Sequence, residues 1–242
     1  MNFIIDAGNT STKLAVFDRG ILRFQKTAQV GKEALEIKEI CDLYPDMAHA
    51  IISNVGQLDR TIMAVLSVFC QVHELGPRSK KPFKNSYATP NTLGADRMAL
   101  AAAAFYNNPK GNSLVIDAGT CITYDMVNDY GEYLGGAISP GLNMRYRAMH
   151  AQTSNLPLLQ PLEPMDIIGN STENSMHSGV IFGAAKELDG IIDEYHLRFK
   201  DLTVILTGGD AQFLSNRLKN TIFADSNFLL KGLNHLLEYN KQ

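Results

Sequence analysis

No stretch of this 242-residue sequence approaches the ~18 uninterrupted apolar residues of a membrane span. The first residues carry neither a basic segment nor the long apolar core of a secretory leader, so a cytoplasmic location is expected. Cysteine is scarce: Cys41, Cys70 and Cys121 form no CxxC pair, and none of the six histidines stands in an HExxH pattern. A disulfide framework and a structural zinc site are thereby unsupported, and reduced, mostly buried thiols are the expectation. The formal charge is only −3 with interspersed signs, which gives no footprint for nucleic acid or an anionic membrane. The nearest basic run, Arg78, Lys80, Lys81 and Lys84, reads as a solvated loop. The P-loop pattern GxxxxGK[ST] is also missing, which excludes the commonest ATP cradle.

What the chain does have is 45% hydrophobic residues, enough for one large core or two modest ones. It also has a phrase used twice. "IDAGNTSTKLAVFDRG", from Ile5 to Gly20, recurs as "IDAGTCITYDMVNDYG", from Ile116 to Gly131, at a constant offset without a gap. Each copy reads as a strand (Phe3 to Asp6; Leu114 to Asp117), a glycine-centred turn and a second β segment (Leu14 to Phe17; Ile122 to Val127). That is a β-hairpin whose short loop holds polar residues.

Such a loop suits phosphate. Glycine lets backbone approach a ligand, Asn and Thr offer donors, adjacent amides form an anion-binding concavity, and Lys13 adds positive charge. Asp6 cannot attract phosphate, so its place at the strand end makes sense chiefly if it holds a metal ion or a water on one. Against this, Asp, Gly and Asn all favour turns, and a single copy could be no more than a hairpin. Two facing copies suggest a nucleotide clasped between two domains.

Helices are expected over Glu33 to Leu43, Leu58 to Phe69, Asp96 to Phe105 and Ser175 to Phe199, with Leu202 to Gly209 holding a late buried strand. The fold class is therefore α/β with mixed sheets flanked by helices. The polar stretch Asn107 to Asn112 is the expected boundary, giving domains over 1–111 and 112–242, the last helix being able to return to the first domain.

With these motifs in order, the sequence resembles the type III pantothenate kinases, within the superfamily of acetate and sugar kinases, Hsp70 and actin. "DAGNTSTK" resembles that family's first phosphate motif and "DAGTCITYD" its second; "GADR" (Gly94 to Arg97) is similar to its substrate motif. "GGAISPGL" (Gly135 to Leu142) and "TGGDA" (Thr207 to Ala211) resemble later glycine-rich signatures, the last lying where the superfamily binds adenosine. Cys121 stands where the family usually carries alanine.

The resemblance implies two similar actin-like (ribonuclease H-like) domains with the nucleotide in the cleft between them. It implies ATP-dependent phosphorylation of pantothenate to 4′-phosphopantothenate, the first step of coenzyme A biosynthesis, in a homodimer that uses Mg²⁺ and K⁺ or NH₄⁺. Carried onto this chain, Asp6, Ala7, Gly8, Asn9, Thr10, Ser11, Thr12 and Lys13 contact the ATP phosphates and organise Mg²⁺. Thr120 touches ATP, and Asp117 binds the monovalent cation. Tyr87, Gly94, Ala95, Asp96 and Arg97 form the pantothenate site, completed by Thr172 from the other subunit, with Asp96 as catalytic base.

Each of these residues also has an ordinary reading. Asp96 precedes a strong helix former, "RMALAAAAF", where an acid in the first turn favourably meets the helix dipole. In phosphoryl transfer, however, a carboxylate must orient the attacking hydroxyl and accept its proton. Arg97 could be an ion-pair partner, yet its planar fork suits the substrate carboxylate. Tyr87 fits a half-buried core aromatic, Thr172 a helix cap, and His177 a structural histidine. The paired glycines of "TGGDA" suit a strand-to-helix turn and equally a flat adenine; "GGAISPGL" is assigned no direct contact. Two rival functions are a kinase acting on another hydroxyl compound and a non-catalytic, nucleotide-binding transcription accessory factor.

Overall fold

The structure is a computed structural model that describes residues 1–54 and 60–241. The chain divides into two compact units. The first comprises Met1–Pro109, Gly131–Leu134 and Asn227–Gln242, and the second Lys110–Tyr130 and Gly135–Ser226.

The first unit is built on β1 (Asn2–Ala7), β2 (Thr12–Asp18), β3 (Ile21–Thr27), β4 (His49–Asn54) and β5 (Gln71–Glu74), in the sheet order β3-β2-β1-β4-β5. The first three strands run as an antiparallel meander, and β4 and β5 continue parallel to β1. All six residues of β1 are buried, as expected for a central strand covered on both faces. On one face, Phe3, Ile5, Leu14 and Val16 pack with Ile37, Ile40 and Cys41 of α1 (Glu33–Leu43) and with Ile62 and Leu66 of α2 (Arg60–Phe69). Helix α1 has the bounds expected from the sequence. Of the helix expected over Leu58 to Phe69, residues 58 and 59 lie outside the described residues.

Helix α3 (Ala95–Asn107) carries the alanine run, whose small side chains favour helix and allow close packing. The C-terminal helix α7 (Phe228–Asn240) packs along α3 and over β1 and β4. A Cβ at Gly232 would come within 1.9 Å of the Ala99 carbonyl, so the two helices touch where no side chain stands. Asn2 of β1 fastens α7 by donating to Asn234 Oδ1 (2.7 Å) and Glu238 Oε1 (2.6 Å).

The second unit repeats the theme. Its sheet runs β11-β10-β7-β8-β9, from β7 (Ser113–Ala118), β8 (Cys121–Val127), β9 (Glu132–Pro140), β10 (Thr203–Thr207) and β11 (Phe223–Ala224). Strands β7 and β8 form the second hairpin, and β10 lies parallel to β7. Leu114, Ile116, Ile122, Tyr124 and Met126 pack on α4 (Leu142–Gln152), α5 (Thr172–Arg198) and the short α6 (Ala211–Ser215). Helix α5 starts three residues earlier than expected because Ser171 caps it, accepting from the Asn174 amide at 3.2 Å. The start of β9 groups with the first unit, where Glu132 and Tyr133 pair in parallel with β6 (Lys84–Asn85).

The two hairpins differ in register. Asp6 pairs with Lys13, but Asp117 pairs with Thr123. The second loop is therefore one residue shorter than an ungapped repeat requires. The cores explain the difference: Leu14 and Val16 face inward in β2, whereas Ile122, Tyr124 and Met126 do so in β8. The offset of 111 would have turned Asp125 and Val127 to that face instead, since one residue of slip exchanges the two faces of a strand.

Candidate active site

In the first unit the DAGNTSTK loop is the turn between β1 and β2. Gly8 donates its amide to the Ser11 carbonyl at 3.0 Å, closing a four-residue loop, Gly8 to Ser11, over the cross-strand pair Asp6 and Lys13. Asp6 is 6% exposed. Burial pushes its carboxyl up to about 6, against the positive charge of Lys13 and aided by the negative charge of Asp96. Ser53 stands beside Asp6 in the register of β4. Its hydroxyl is near enough to counter that shift slightly, and among the described residues no hydrogen-bond partner satisfies it.

A buried carboxylate beside an unsatisfied buried hydroxyl fits a hydrated divalent cation, which would supply the missing charge and donors. Mg²⁺ binds through one or two carboxylates, waters and nucleotide phosphates, and Asp6 with Ser53 beside it would fit that donor set.

GADR opens α3. Gly94 is the N-cap and Asp96 lies in the first turn, where its Oδ1 accepts the Arg97 amide at 2.8 Å. A Cβ at Gly94 would come within 2.4 Å of that same Oδ1, so glycine is needed for the carboxylate to fold back over the helix start. Asp96 is thus not the N-cap, but it satisfies one amide of the first turn from inside the helix. Its charge also acts on Asp6, which brings the candidate base and the candidate metal carboxylate into one electrostatic neighbourhood.

Arg97 is 6% exposed, and its guanidinium lies over the Tyr87 ring, 5.6 Å from the centroid. Tyr87 packs in turn against the fully buried Tyr133, with centroids 6.0 Å apart, and Tyr133 is also in contact with Phe83 at 6.0 Å. The Ser86 amide donates to the Tyr133 carbonyl at 3.0 Å, so the β6–β9 pairing sets where Tyr87 begins.

In the second unit, the loop after Asp117 is confined on two sides by glycines. At Gly208, with φ of +97°, a Cβ would come within 2.4 Å of Asp117 Oδ1 and 2.3 Å of the Ala118 carbonyl. At Gly141 a Cβ would come within 2.1 Å of the Gly119 carbonyl and 2.6 Å of the Thr120 carbonyl. The Asp210 amide donates to Ala118 O (2.9 Å) and the Gly141 amide to Thr120 O (3.2 Å). TGGDA and GGAISPGL therefore both touch the second phosphate-type loop. Their glycines were the visible signal; which glycine faces which carbonyl is a tertiary matter.

Thr172 is exposed at the first residue of α5. His177 is buried and its Nδ1 shares a 2.8 Å hydrogen bond with the hydroxyl of Tyr146, which joins α5 to α4 in a structural role.

A family model described as type III pantothenate kinase matches residues 2–194. The type III pantothenate kinase of Christiangramia forsetii is 49% identical over 242 residues, covering 100% of this chain and 99% of that protein. Among solved structures, a Campylobacter jejuni protein described as a Baf family transcriptional activator aligns with a TM-score of 0.58 at 22% identity, over 98% of each chain. A glucokinase from an Antarctic psychrotroph aligns with a TM-score of 0.53 at 13% identity, again over 98% of each. At such identities the two structures show a shared fold and nothing of the activity. The match of sequence along the whole chain establishes more: this chain belongs to the type III pantothenate kinase family.

Proposed function

We propose that Asp6, Lys13 and Asp96 carry out on this chain the reaction of its family. ATP gives its γ-phosphoryl group to the primary hydroxyl of pantothenate, yielding 4′-phosphopantothenate for coenzyme A biosynthesis. The observation that carries this assignment is the pairing of Asp6 with Lys13 beneath the Gly8 to Ser11 loop, with Asp96 near enough for its charge to act on Asp6. It supports a base and a metal-organising carboxylate acting on the same phosphoryl group.

In this reading the Gly8 to Ser11 loop and Lys13 hold the phosphates, and Asp6 holds Mg²⁺ or its water. The cation, when bound, neutralises charge that develops on the transferring phosphoryl oxygens. Asp96 orients the substrate hydroxyl and takes its proton as the phosphorus–oxygen bond forms. Arg97, stiffened by Tyr87, grips the pantothenate carboxylate beside the Gly94–Ala95 backbone. Thr120 contacts ATP, and Asp117 binds K⁺ or NH₄⁺.

Thr172 completes the pantothenate site of a second copy of the chain. A homodimer is supported by the exposed apolar side chains of the segment before α5, among them Met165 at 89% and Ile168 at 80% exposure. No helix among the described residues is long and apolar enough to cross a membrane.

A coupled ATPase assay with and without pantothenate, and with and without K⁺, tests the reading. Turnover should require both. Nucleotide binding with no pantothenate-dependent turnover would favour a non-catalytic regulator instead, and turnover on other hydroxyl compounds alone would favour a related kinase.

A further inference from the structure

Three elements of the second unit converge on one carboxylate, Glu187 of α5. Its Oε1 accepts from the Tyr124 hydroxyl of β8 at 3.1 Å and from the Ser139 hydroxyl of β9 at 2.5 Å. Its Oε2 accepts from Nη2 of Arg145 on α4 at 2.5 Å. Arg145 also donates through Nε to the Pro140 carbonyl at 2.9 Å, and its Nη2 reaches the Ser139 hydroxyl at 3.4 Å.

Burial pushes the Glu187 carboxyl up, but the hydrogen bonds from Ser139 and Arg145, the charge of Arg145 and the Tyr124 hydroxyl outweigh it and hold the group below its ordinary value. Burial, with the Glu187 charge added, pushes the Tyr124 hydroxyl up. At neutral pH the acceptor is ionised and every donor keeps its proton. A fully connected network of this kind holds its elements in one arrangement.

An ion pair between helices could serve stability alone. Here, however, three of the bonds end on Ser139 and Pro140, and the next residue is Gly141. That glycine lies against the Gly119 and Thr120 carbonyls at a range no side chain would tolerate. A shift of the Ser139–Gly141 turn would therefore move or release the loop beside it.

We propose that Glu187 is a positioning residue for the nucleotide. Acting through Arg145 and Ser139, it holds the Ser139–Gly141 turn against the Gly119–Thr120 loop and so sets the affinity for ATP. The inference rests on the reading that Thr120 contacts ATP.

Glu187→Gln keeps the shape and removes the charge that pairs with Arg145. The KM for ATP should rise about tenfold, the effect of losing one charge-assisted hydrogen bond, while the KM for pantothenate stays within about twofold of wild type. Arg145→Gln should give the same split, and the double variant should be little worse than either, because both remove one interaction. A folded Glu187→Gln protein with the wild-type KM for ATP overturns the proposal. So does a rise in both KM values in parallel with a lower melting temperature, which is what general loosening produces. If Glu187→Gln does not fold, Ser139→Ala decides, with an expected rise of about threefold in the KM for ATP and refutation if there is none. Calorimetric titration of ATP into the same proteins separates this idea from the functional reading. Wild type without turnover on pantothenate would sink that reading, whereas the Kd for ATP of the variants would still report whether the turn is held.

Discussion

The guanidinium of Arg97 lies over the ring of Tyr87, 5.6 Å from its centroid, and is almost wholly buried. A ring face restrains a planar group in orientation as well as place, and a guanidinium held so has the geometry to meet a carboxylate in two parallel hydrogen bonds. Lysine offers a point charge on a flexible stem and cannot reproduce either property. Arg97→Lys should raise the KM for pantothenate about tenfold or more with kcat little changed, because the contact is present in ground and transition states alike. Steady-state kinetics with pantothenate varied at saturating ATP checks this. An unchanged KM would mean that Arg97 serves packing.

Asp96 accepts an amide of the first turn of α3 and also influences Asp6, so its two roles must be separated. Asparagine keeps the shape and the accepting oxygen but loses the charge and the proton acceptor. Asp96→Asn should melt within about 1 kcal/mol of wild type, since only the favourable meeting of charge and helix dipole is lost. Its kcat should nevertheless fall by about 10²- to 10⁴-fold, the usual loss of a positioned base. Wild-type turnover in the folded variant would leave support of the helix start as the only role.

Asp6 gives a pH dependence whose sign follows from its raised carboxyl. In the unfolded chain it ionises near its ordinary 3.8, and in the folded, metal-free protein near about 6. Its contribution to stability is therefore full below the unfolded value and is lost as pH rises through about 6, because the folded state then buries a charge. Asp6→Asn removes that cost. In metal-free protein the variant should be more stable than wild type by roughly 2 kcal/mol near neutral pH, with the advantage shrinking towards about pH 4.5. Urea melts at the two pH values measure it. An advantage independent of pH would show that charge is not the cause, and the same variant should have lost turnover.

Two adjacent glycines of TGGDA have opposite tolerances. Gly208 combines φ of +97° with a Cβ position occupied by Asp117 and Ala118, whereas a Cβ at Gly209 would meet nothing within 4 Å. Gly208→Ala should lower stability by about 1 to 3 kcal/mol and weaken ATP binding through the displaced loop. Gly209→Ala should stay within about 0.5 kcal/mol of wild type. Thermal melts and ATP titrations of the pair test this, and equal behaviour would dissociate the Gly208 contact from the loop.

Local pattern carried much of this. The run Phe3 to Asp6 followed by glycine and hydroxyl residues implies strand and turn wherever it is placed, because apolar β formers end where turn residues begin. The spacing of Ile37, Ile40 and Cys41 implies one buried helix face. GADR before an alanine run implies an acid at a helix start, and TGGDA a strand ending in a turn. What these motifs touch lay beyond local pattern. Neither the two-residue β6 nor its pairing with β9 has a sequence signal of its own, yet that pairing brings Tyr133 under Tyr87. Glu187 has no neighbour in sequence that announces its four-way meeting.

The sequence by itself therefore determined the kind of chemistry present: two glycine-turn hairpins ending in Asp6 and Asp117, a carboxylate and a guanidinium in GADR, and the family to which they belong. Only the tertiary structure decided the register of the second hairpin. Sixteen positions read as an ungapped repeat, yet Asp117 pairs with Thr123 where Asp6 pairs with Lys13. The reason is burial. A loop one residue shorter turns Ile122, Tyr124 and Met126 onto the helices and keeps Asp125 from that face, and no string of residues states which face of a strand will be covered until the helices that cover it are in place.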